Sequence, residues 1–220
     1  MSLFITFEGP DGSGKSTQIN LVADYLRRRG YQVFCTREPG GTAMGDQIRQ
    51  VLHDIRHTEM ASRTEILLYS ASRAQLVQQI ILPHLAQGEV VLCDRYADST
   101  YAYQGYGRQL DFEALRFITH FATQGLKPNL TIYLDLDVHE GLRRKAVASA
   151  TGQGEWNRMD QLELAFHQRV RAGYLEMAQA EPERWLIVEA MASIDEINRI
   201  ICERLEPILQ VGHPQSALSS

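Results

Sequence analysis

The chain has 220 residues, of which 44% are hydrophobic and 22% are charged, and its formal net charge is -5. This composition is typical of a globular protein and excludes a disordered chain, and the length suits one domain over residues 1–220. The mildly acidic charge argues against general binding of a nucleic-acid polymer, which relies on many Lys and Arg contacts to phosphate.

The three cysteines, Cys35, Cys93 and Cys202, are widely spaced and odd in number. That spacing disfavours a disulfide framework or a zinc motif. No apolar run reaches the roughly 18 residues of a membrane span, and residues 1–7 lack the basic region of a secretory signal. We therefore predict a protein of the reducing cytoplasm that does not enter a membrane.

Short apolar runs alternate along the chain with longer segments whose apolar residues recur at helical spacing. In chain order we predict strand Leu3–Phe7, helix Thr17–Arg29, strand Gln32–Thr36, helices Ala43–His53 and Arg63–Gln87 with a break at Pro83, strand Val90–Cys93, helix Asp111–Thr123, strand Leu130–Leu134, a helix from about His139, helix Met159–Gln179, strand Trp185–Val188 and helix Ser193–Leu209. This alternation predicts an α/β fold, a parallel sheet with helices on both faces.

Two segments fall outside this pattern. Ala148–Gly154 consists mostly of small residues between helices, and we predict a mobile loop inside the domain rather than a domain boundary. The tail, Val211–Ser220, is small and polar and is predicted to be disordered.

A phosphate-binding motif, G-x-x-x-x-G-K-[ST], follows the first predicted strand and opens the first predicted helix. It reads Gly9, Pro10, Asp11, Gly12, Ser13, Gly14, Lys15 and Ser16, and Thr17 comes next. In such a loop the backbone N–H groups face a phosphate, Lys15 reaches the β- and γ-phosphates, and the Ser16 hydroxyl ligates Mg²⁺. ATP or GTP binding is thereby predicted, and ATP is favoured because the guanine-selective N-K-x-D motif is absent from the sequence.

A second Mg²⁺ ligand is expected at the end of a neighbouring strand. Asp94 ends the strand Val90–Cys93, and Asp135 ends a later one. We favour Asp94 because Arg95 follows it directly and adds a cation for phosphate beside the carboxylate. Asp135 is interpreted as a structural carboxylate at a strand end.

Two arginines follow predicted strands and indicate a second phosphate. Arg37 follows Gln32–Thr36, and Arg95 follows Val90–Cys93. Because ligands of open α/β sheets bind beyond the carboxyl ends of the strands, these guanidiniums are expected to converge near the phosphate loop and to grip an anion.

The segments Gly9–Thr17, Arg37–Thr42, Ser70–Arg73 and Asp94–Gln104 together resemble the thymidylate kinases of the bacterial type, which are P-loop nucleoside monophosphate kinases. The resemblance extends from Leu3 to about Leu209. It implies transfer of the γ-phosphoryl group of ATP to dTMP with Mg²⁺, giving dTDP and ADP for dTTP biosynthesis. It also implies a cytoplasmic homodimer and a three-layer P-loop NTPase fold, whose five-stranded parallel sheet has the order 2-3-1-4-5.

The resemblance also assigns the contacts of the dTMP phosphate and sugar. Arg37 and Arg95 would hold the phosphate, and Asp11 would accept a hydrogen bond from the 3′-hydroxyl and help to position Mg²⁺ through water. Glu8 lies close in sequence, and it can equally be a strand-end carboxylate bonded to the backbone.

The thymine and deoxyribose would be held by side chains from two later segments. Tyr69 stands where Phe is usual and would stack on the base, and Arg73 would donate to O4. Thr100 would face N3, Tyr103 would crowd a 2′-hydroxyl, and Gln104 would lie near the base. For Tyr69, Thr100 and Tyr103 ordinary helix packing is the alternative.

A mobile lid over about residues 143–158 would complete the site. One branch of the family carries an arginine in the phosphate loop, where this chain has Gly12, so the lid would have to supply it. Arg143, Arg144 and Arg158 are the candidates, and of these Arg144 and Arg158 are the predicted contacts to the transferring phosphoryl group, alongside Lys15 and Arg95. The alternative for Arg143 and Lys145 is that they are solvated helix charges.

Other enzymes and a non-enzyme remain as alternatives. A different nucleoside monophosphate kinase would share this machinery, and a deoxynucleoside kinase would need Glu8 or Asp11 as a base. An ATP-driven switch or binding module would leave Tyr69, Arg73 and Tyr103 without a purpose.

Overall fold

The computed structural model describes residues 2–152 and 156–211, the side chain of Val211 excepted. Its strands are β1 (Leu3–Glu8), β2 (Val33–Arg37), β3 (Val90–Asp94), β4 (Leu130–Asp135) and β5 (Trp185–Glu189). Its α-helices are α1 (Lys15–Arg28), α2 (Ala43–His53), α3 (Ser62–Leu76), α4 (Leu82–Ala86), α5 (Ala97–Thr100), α6 (Phe112–Thr123), α7 (Val138–Ala150), α8 (Leu164–Ala180) and α9 (Ile194–Val211).

The five strands form one parallel sheet in the order β2-β3-β1-β4-β5, which confirms the predicted topology. In its register Asp94 lies opposite both Phe7 and Arg37. The carboxyl ends of β1, β2 and β3 therefore meet at one edge. This edge places the residues that follow the three strands within reach of one ligand.

The core lies on both faces of the sheet. Ile5 and Phe7 pack in one cluster with Leu26 of α1 and Leu205 of α9, whereas Phe4 packs in another with residues around α3 and α4. Side chains of a strand alternate between faces, so both faces of the central strand are covered by helices. No described helix combines the length and apolar character that a membrane-spanning segment needs.

The predicted helix Arg63–Gln87 is divided in the structure. α3 ends at Leu76, a π-helical segment covers Val77–Ile81, and α4 follows. Pro83 has no N–H for the carbonyl four residues earlier. The N–H of Leu82 instead donates to the carbonyl of Val77, five residues back. The expected break is therefore a change of hydrogen-bond register just before the proline.

Two other predicted boundaries were wrong, and two elements were missed. The helix predicted from Met159 begins at Leu164, and Arg158–Gln161 is a 3₁₀ turn whose first N–H groups Asn157 caps. In the predicted loop Ala148–Gly154, residues 148–150 belong to α7. Sequence reasoning also missed α5 and the π-helical segment Tyr101–Gly107 that continues it. Residues 153–155 of the lid and 212–220 of the predicted tail lie outside the described residues.

Candidate active site

The phosphate loop joins β1 to α1 and curls tightly. Gly9 has φ 139° and Gly12 has φ 80°, values that side chains rarely allow. A Cβ atom on Gly12 would also lie 2.9 Å from Cβ of Arg144, so the glycine lets α7 approach the loop. Lys15 is buried and its Nζ donates to the carbonyls of Gly9 and Pro10, each at 3.0 Å. A phosphate can replace these carbonyls as the acceptor of Lys15.

Ser16 and Asp94 meet beside this loop, as predicted for a metal site. The Ser16 hydroxyl donates to Oδ2 of Asp94 at 3.3 Å. Among the described residues no group of three or more His, Cys, Asp or Glu side chains is placed to hold a metal. The pair nevertheless fits Mg²⁺, which commonly takes one or two protein oxygens together with phosphate oxygens and water. Asp135 instead accepts from Arg171 through both oxygens, at 2.7 and 2.9 Å.

Asp11 joins the phosphate loop to two other elements through cations. Arg95 donates to Oδ1 of Asp11 at 2.8 Å, and Lys145 of α7 pairs with Oδ2. Lys15 lies 3.8 Å from the same carboxylate. Burial acts to raise the pKa of Asp11, but Arg95, Lys15 and Lys145 together hold that pKa well below its usual range. The Asp11 carboxylate therefore stays ionised and interacts with all three cations.

Most of the predicted dTMP contacts line one cavity next to the phosphate loop. Its walls include Asp11, Tyr69, Arg73, Arg95, Thr100, Tyr103 and Gln104. Nη1 of Arg95 is buried and has no hydrogen-bond partner among the described residues. A buried donor without an acceptor is costly, so this atom marks a place where an anionic ligand would be stabilised.

The guanidinium of Arg73 is held at the cavity wall by three buried hydrogen bonds. Its Nε donates to Glu38 at 2.8 Å, Nη1 to Thr100 Oγ1 at 2.7 Å, and Nη2 to the carbonyl of Tyr96 at 3.1 Å. A guanidinium carries five N–H groups. Because Nη2 also pairs with Glu38 at 2.6 Å, one N–H of Nη1 remains for a ligand. Arg73 and Thr100, which α3 and α5 supply, thus present adjacent polar atoms to the cavity.

The π-helical segment Tyr101–Gly107 presents Tyr103 and Gln104 to the same cavity. The guanidinium of Arg95 lies 5.3 Å from the ring centre of Tyr103. Such segments are frequent at functional sites. Two adjacent residues of this segment thus both line the cavity.

Glu65 of α3 is a buried acceptor that sequence reasoning missed. It accepts hydrogen bonds from Gln104, Arg108 and Arg158, the last at 2.6 Å. Arg158 is only 5% exposed and also donates to the carbonyl of Leu52. In this conformation Arg158 connects the end of the lid region to α2 and α3 through hydrogen bonds. Its contact to a phosphate stays a prediction.

Glu8, the last residue of β1, is fully buried behind the cavity. Its carboxylate accepts from the Tyr96 N–H at 2.9 Å, from Ser99 Oγ at 2.6 Å and from Tyr174 Oη at 2.7 Å. Burial raises the pKa of Glu8 to about 7, and Arg95 opposes part of this rise. These contacts fit the alternative in which Glu8 is a hydrogen-bonded carboxylate at the end of a strand.

The remaining predicted cations occupy different places. Arg37 is exposed and donates to Asp46 at 3.1 Å, outside the set of cavity-lining residues. Arg144 donates from Nη1 to the carbonyl of Gly12 at 3.2 Å, so α7, the helix of the predicted lid, touches the phosphate loop. Lys145 is only 11% exposed, so the alternative of a solvated helix charge was wrong for this residue.

Comparison with known proteins gives a consistent result. The sequence model described as "Thymidylate kinase" matches residues 7–201. A thymidylate kinase of Roseiflexus sp. (strain RS-1) is 55% identical over 95% of this chain and 96% of its own length, and one of Deinococcus radiodurans is 50% identical over 89% and 92%. The crystal structure of thymidylate kinase from Ehrlichia chaffeensis superposes with a TM-score of 0.70, at 32% identity over 96% of this chain and 98% of that one. The fold, the phosphate loop and these similarities together establish that the chain belongs to the thymidylate kinase family.

Proposed function

We propose that this protein transfers the γ-phosphoryl group of ATP to dTMP, giving dTDP and ADP. The observation that carries the proposal is Nη1 of Arg95, which is buried and has no hydrogen-bond partner among the described residues. Arg95 lines a cavity together with Arg73, Thr100 and Tyr103, and Asp11 of the phosphate loop lines the same cavity. An anion on Arg95 and a nucleobase near Arg73 together describe a nucleoside monophosphate as the acceptor.

In this proposal the protein catalyses transfer by holding two polyanions together. Lys15 and the loop N–H groups bind the phosphates of ATP, Arg95 holds the acceptor phosphate, and Arg144 approaches from the lid. Ser16 and Asp94 would hold Mg²⁺, which supplies charge stabilisation when it is bound. An acceptor that is already an anion needs no general base.

A deoxynucleoside kinase is less compatible with the carboxylates of the site. Its 5′-hydroxyl would require a base, for which Glu8 and Asp11 are the candidates. Glu8 is buried under three hydrogen bonds. Asp11 is held by cations that lower its pKa, and this makes it a weak base.

The lid carries more cationic contacts than the two arginines that we expected. Lys145 touches Asp11 and also lies 3.4 Å from Asp160 at the far end of the lid region. We include Lys145 with Arg144 and Arg158 as lid residues that serve the reaction. The mobility of the lid over residues 143–158 and its closure on substrate binding belong to the same proposal.

A homodimer in the cytoplasm completes the proposal. Phe117 and Phe121 of α6 are 76% and 79% exposed, and Leu67 of the neighbouring α3 is 57% exposed. Phe117 and Phe121 are four residues apart on one helix and so share a face, and exposed apolar side chains of this kind favour contact with another protein surface. A second copy of this chain would cover them, as the family resemblance implies. General binding to a nucleic-acid polymer or a membrane is not part of this proposal.

The test is release of ADP from ATP in the presence of dTMP, dUMP, UMP, CMP or thymidine, with Mg²⁺ and with EDTA. We expect the highest kcat/KM with dTMP, and activity that EDTA abolishes. Turnover with thymidine alone, or turnover that needs no acceptor, would refute the proposed reaction.

A further inference from the structure

Arg95 has an unusual backbone conformation. Its φ is 68°, in the left-handed region that non-glycine residues rarely occupy. Surrounding structure must hold such a residue in place, since it relaxes wherever it is free to do so. The side chain that contacts Asp11 at 2.8 Å therefore starts from a strained backbone.

The end of β1 holds this backbone on both sides of Arg95. The N–H of Arg95 donates to the carbonyl of Phe7 at 2.9 Å. The next N–H, of Tyr96, donates to Oε1 of Glu8, also at 2.9 Å. One contact is a sheet hydrogen bond available to any residue, whereas the other depends on the Glu8 side chain.

Glu8 is itself fixed by two hydroxyl groups. Ser99 of α5 and Tyr174 of α8 both donate to Oε2, at 2.6 and 2.7 Å, and the two hydroxyl oxygens are 3.0 Å apart. The side chain is fully buried, so water cannot replace it as the acceptor for the Tyr96 N–H. Removing this acceptor would leave the buried Tyr96 N–H without a hydrogen-bond partner, next to the strained Arg95.

We propose that Glu8 is a positioning residue, which aims Arg95 at the acceptor phosphate through the hydrogen bond from its side-chain oxygen to the Tyr96 N–H. The proposal rests on the proposed function, in which Arg95 holds that phosphate. In this proposal the length of the Glu8 side chain positions Arg95, and the charge of Glu8 does not.

Two substitutions separate reach from charge. Glu8→Gln keeps the reach and an acceptor oxygen, and its NH₂ group can donate to the Ser99 and Tyr174 hydroxyls, which also accept. Glu8→Asp keeps the charge but shortens the side chain by one carbon–carbon bond, about 1.5 Å. Thr6→Val is the control, because Thr6 is buried in the same strand and its side chain bonds to Thr131, whose hydroxyl is bonded to Asp98 and Arg184 rather than to Glu8 or Arg95.

We expect Glu8→Asp to raise the KM for dTMP by at least about tenfold and to leave the KM for ATP within about threefold, since one buried hydrogen bond is lost. Glu8→Gln and Thr6→Val should leave both constants within about threefold of the original protein. Normal dTMP binding by Glu8→Asp, or a tenfold loss in Glu8→Gln, would overturn the proposal. The proposal would also be overturned if Glu8→Asp and Thr6→Val raised the KM for dTMP and the KM for ATP equally. If Glu8→Asp does not fold, a tenfold loss in Glu8→Gln would still overturn the proposal.

Hydrogen exchange of the Tyr96 amide gives a readout that needs no activity. This amide should exchange slowly in the original protein and in Glu8→Gln, and at least about tenfold faster in Glu8→Asp. Equal exchange in all three proteins would overturn the inference. An original protein that fails to phosphorylate dTMP would instead refute the proposed function, and the exchange experiment would still decide whether the Glu8 side chain holds the Tyr96 amide.

Discussion

At the scale of single residues, Lys15 and Arg95 carry the positive charge that the proposed reaction needs. Lys15 is buried, Arg95 is only 16% exposed, and both lie within 4 Å of Asp11. We expect Lys15→Ala and Arg95→Ala each to lower kcat/KM by at least about 10², the loss typical when a charge-stabilising donor is removed. Steady-state kinetics with ATP and dTMP would measure this.

A matched control is Lys127→Ala, because Lys127 is 76% exposed and its Glu181 partner is 3.9 Å away. This variant should keep normal rates. Near-normal rates in Lys15→Ala or Arg95→Ala would contradict their assignment.

The buried Glu8 should make stability depend on pH. Its pKa rises from 4.5 to about 7 on folding because burial disfavours the charged form. Folding therefore favours the protonated form, and that contribution is complete below about pH 4 and is lost as pH rises through about 7. From pH 5 to pH 8 the original protein should lose roughly 2–3 kcal/mol more unfolding free energy than Glu8→Gln. Urea unfolding of both proteins at the two pH values measures the difference, and identical losses would contradict the prediction.

At the scale of elements, the lid helix α7 meets the phosphate loop through two adjacent cations. Arg144 donates to the carbonyl of Gly12, and Lys145 pairs with Asp11. Arg143 points elsewhere on the helix, is 64% exposed and pairs with Glu140. The three residues therefore have different environments despite their adjacency in sequence.

This difference leads to a prediction for the lid. Lys145→Ala should lower kcat by at least about tenfold, because it removes a partly desolvated cation from the reacting phosphates. Arg143→Ala should change kcat by less than about twofold, as expected for an exposed ion pair. Single-turnover measurements would separate this effect on chemistry from one on product release. Equal effects of the two substitutions would argue against a catalytic role for Lys145.

At the scale of the whole molecule, the exposed aromatic side chains of α6 are the basis for the homodimer. Phe117 and Phe121 are one helical turn apart and so share a face. Phe121→Glu should shift the protein from dimer to monomer in sedimentation experiments, because a buried unpaired charge weakens an interface strongly. Val147→Glu changes another exposed apolar residue, on α7, and should leave the assembly intact. A monomeric original protein would refute the homodimer.

Sequence reasoning succeeded where the chemistry is contiguous or periodic. The phosphate loop occupies consecutive residues, and its roles follow from backbone geometry that glycine permits. The five strands were found from short apolar runs, and their order followed from the family resemblance. The cavity residues Tyr69, Arg73, Thr100, Tyr103 and Gln104 were also chosen from that resemblance, and they do share one cavity. Their contacts to dTMP stay predictions.

The sequence by itself thus determined the nucleotide-binding loop, the α/β alternation and the family, because each depends on local pattern. Tertiary structure decided which distant groups meet. Lys145 and Asp11 are 134 residues apart, and Tyr174 and Glu8 are 166 apart. It also showed that Arg158 is held by Glu65 and that Lys145 is withdrawn from solvent. Whether a charged side chain is solvated or buried against a partner depends on the packing of whole elements, which helical or strand periodicity does not encode.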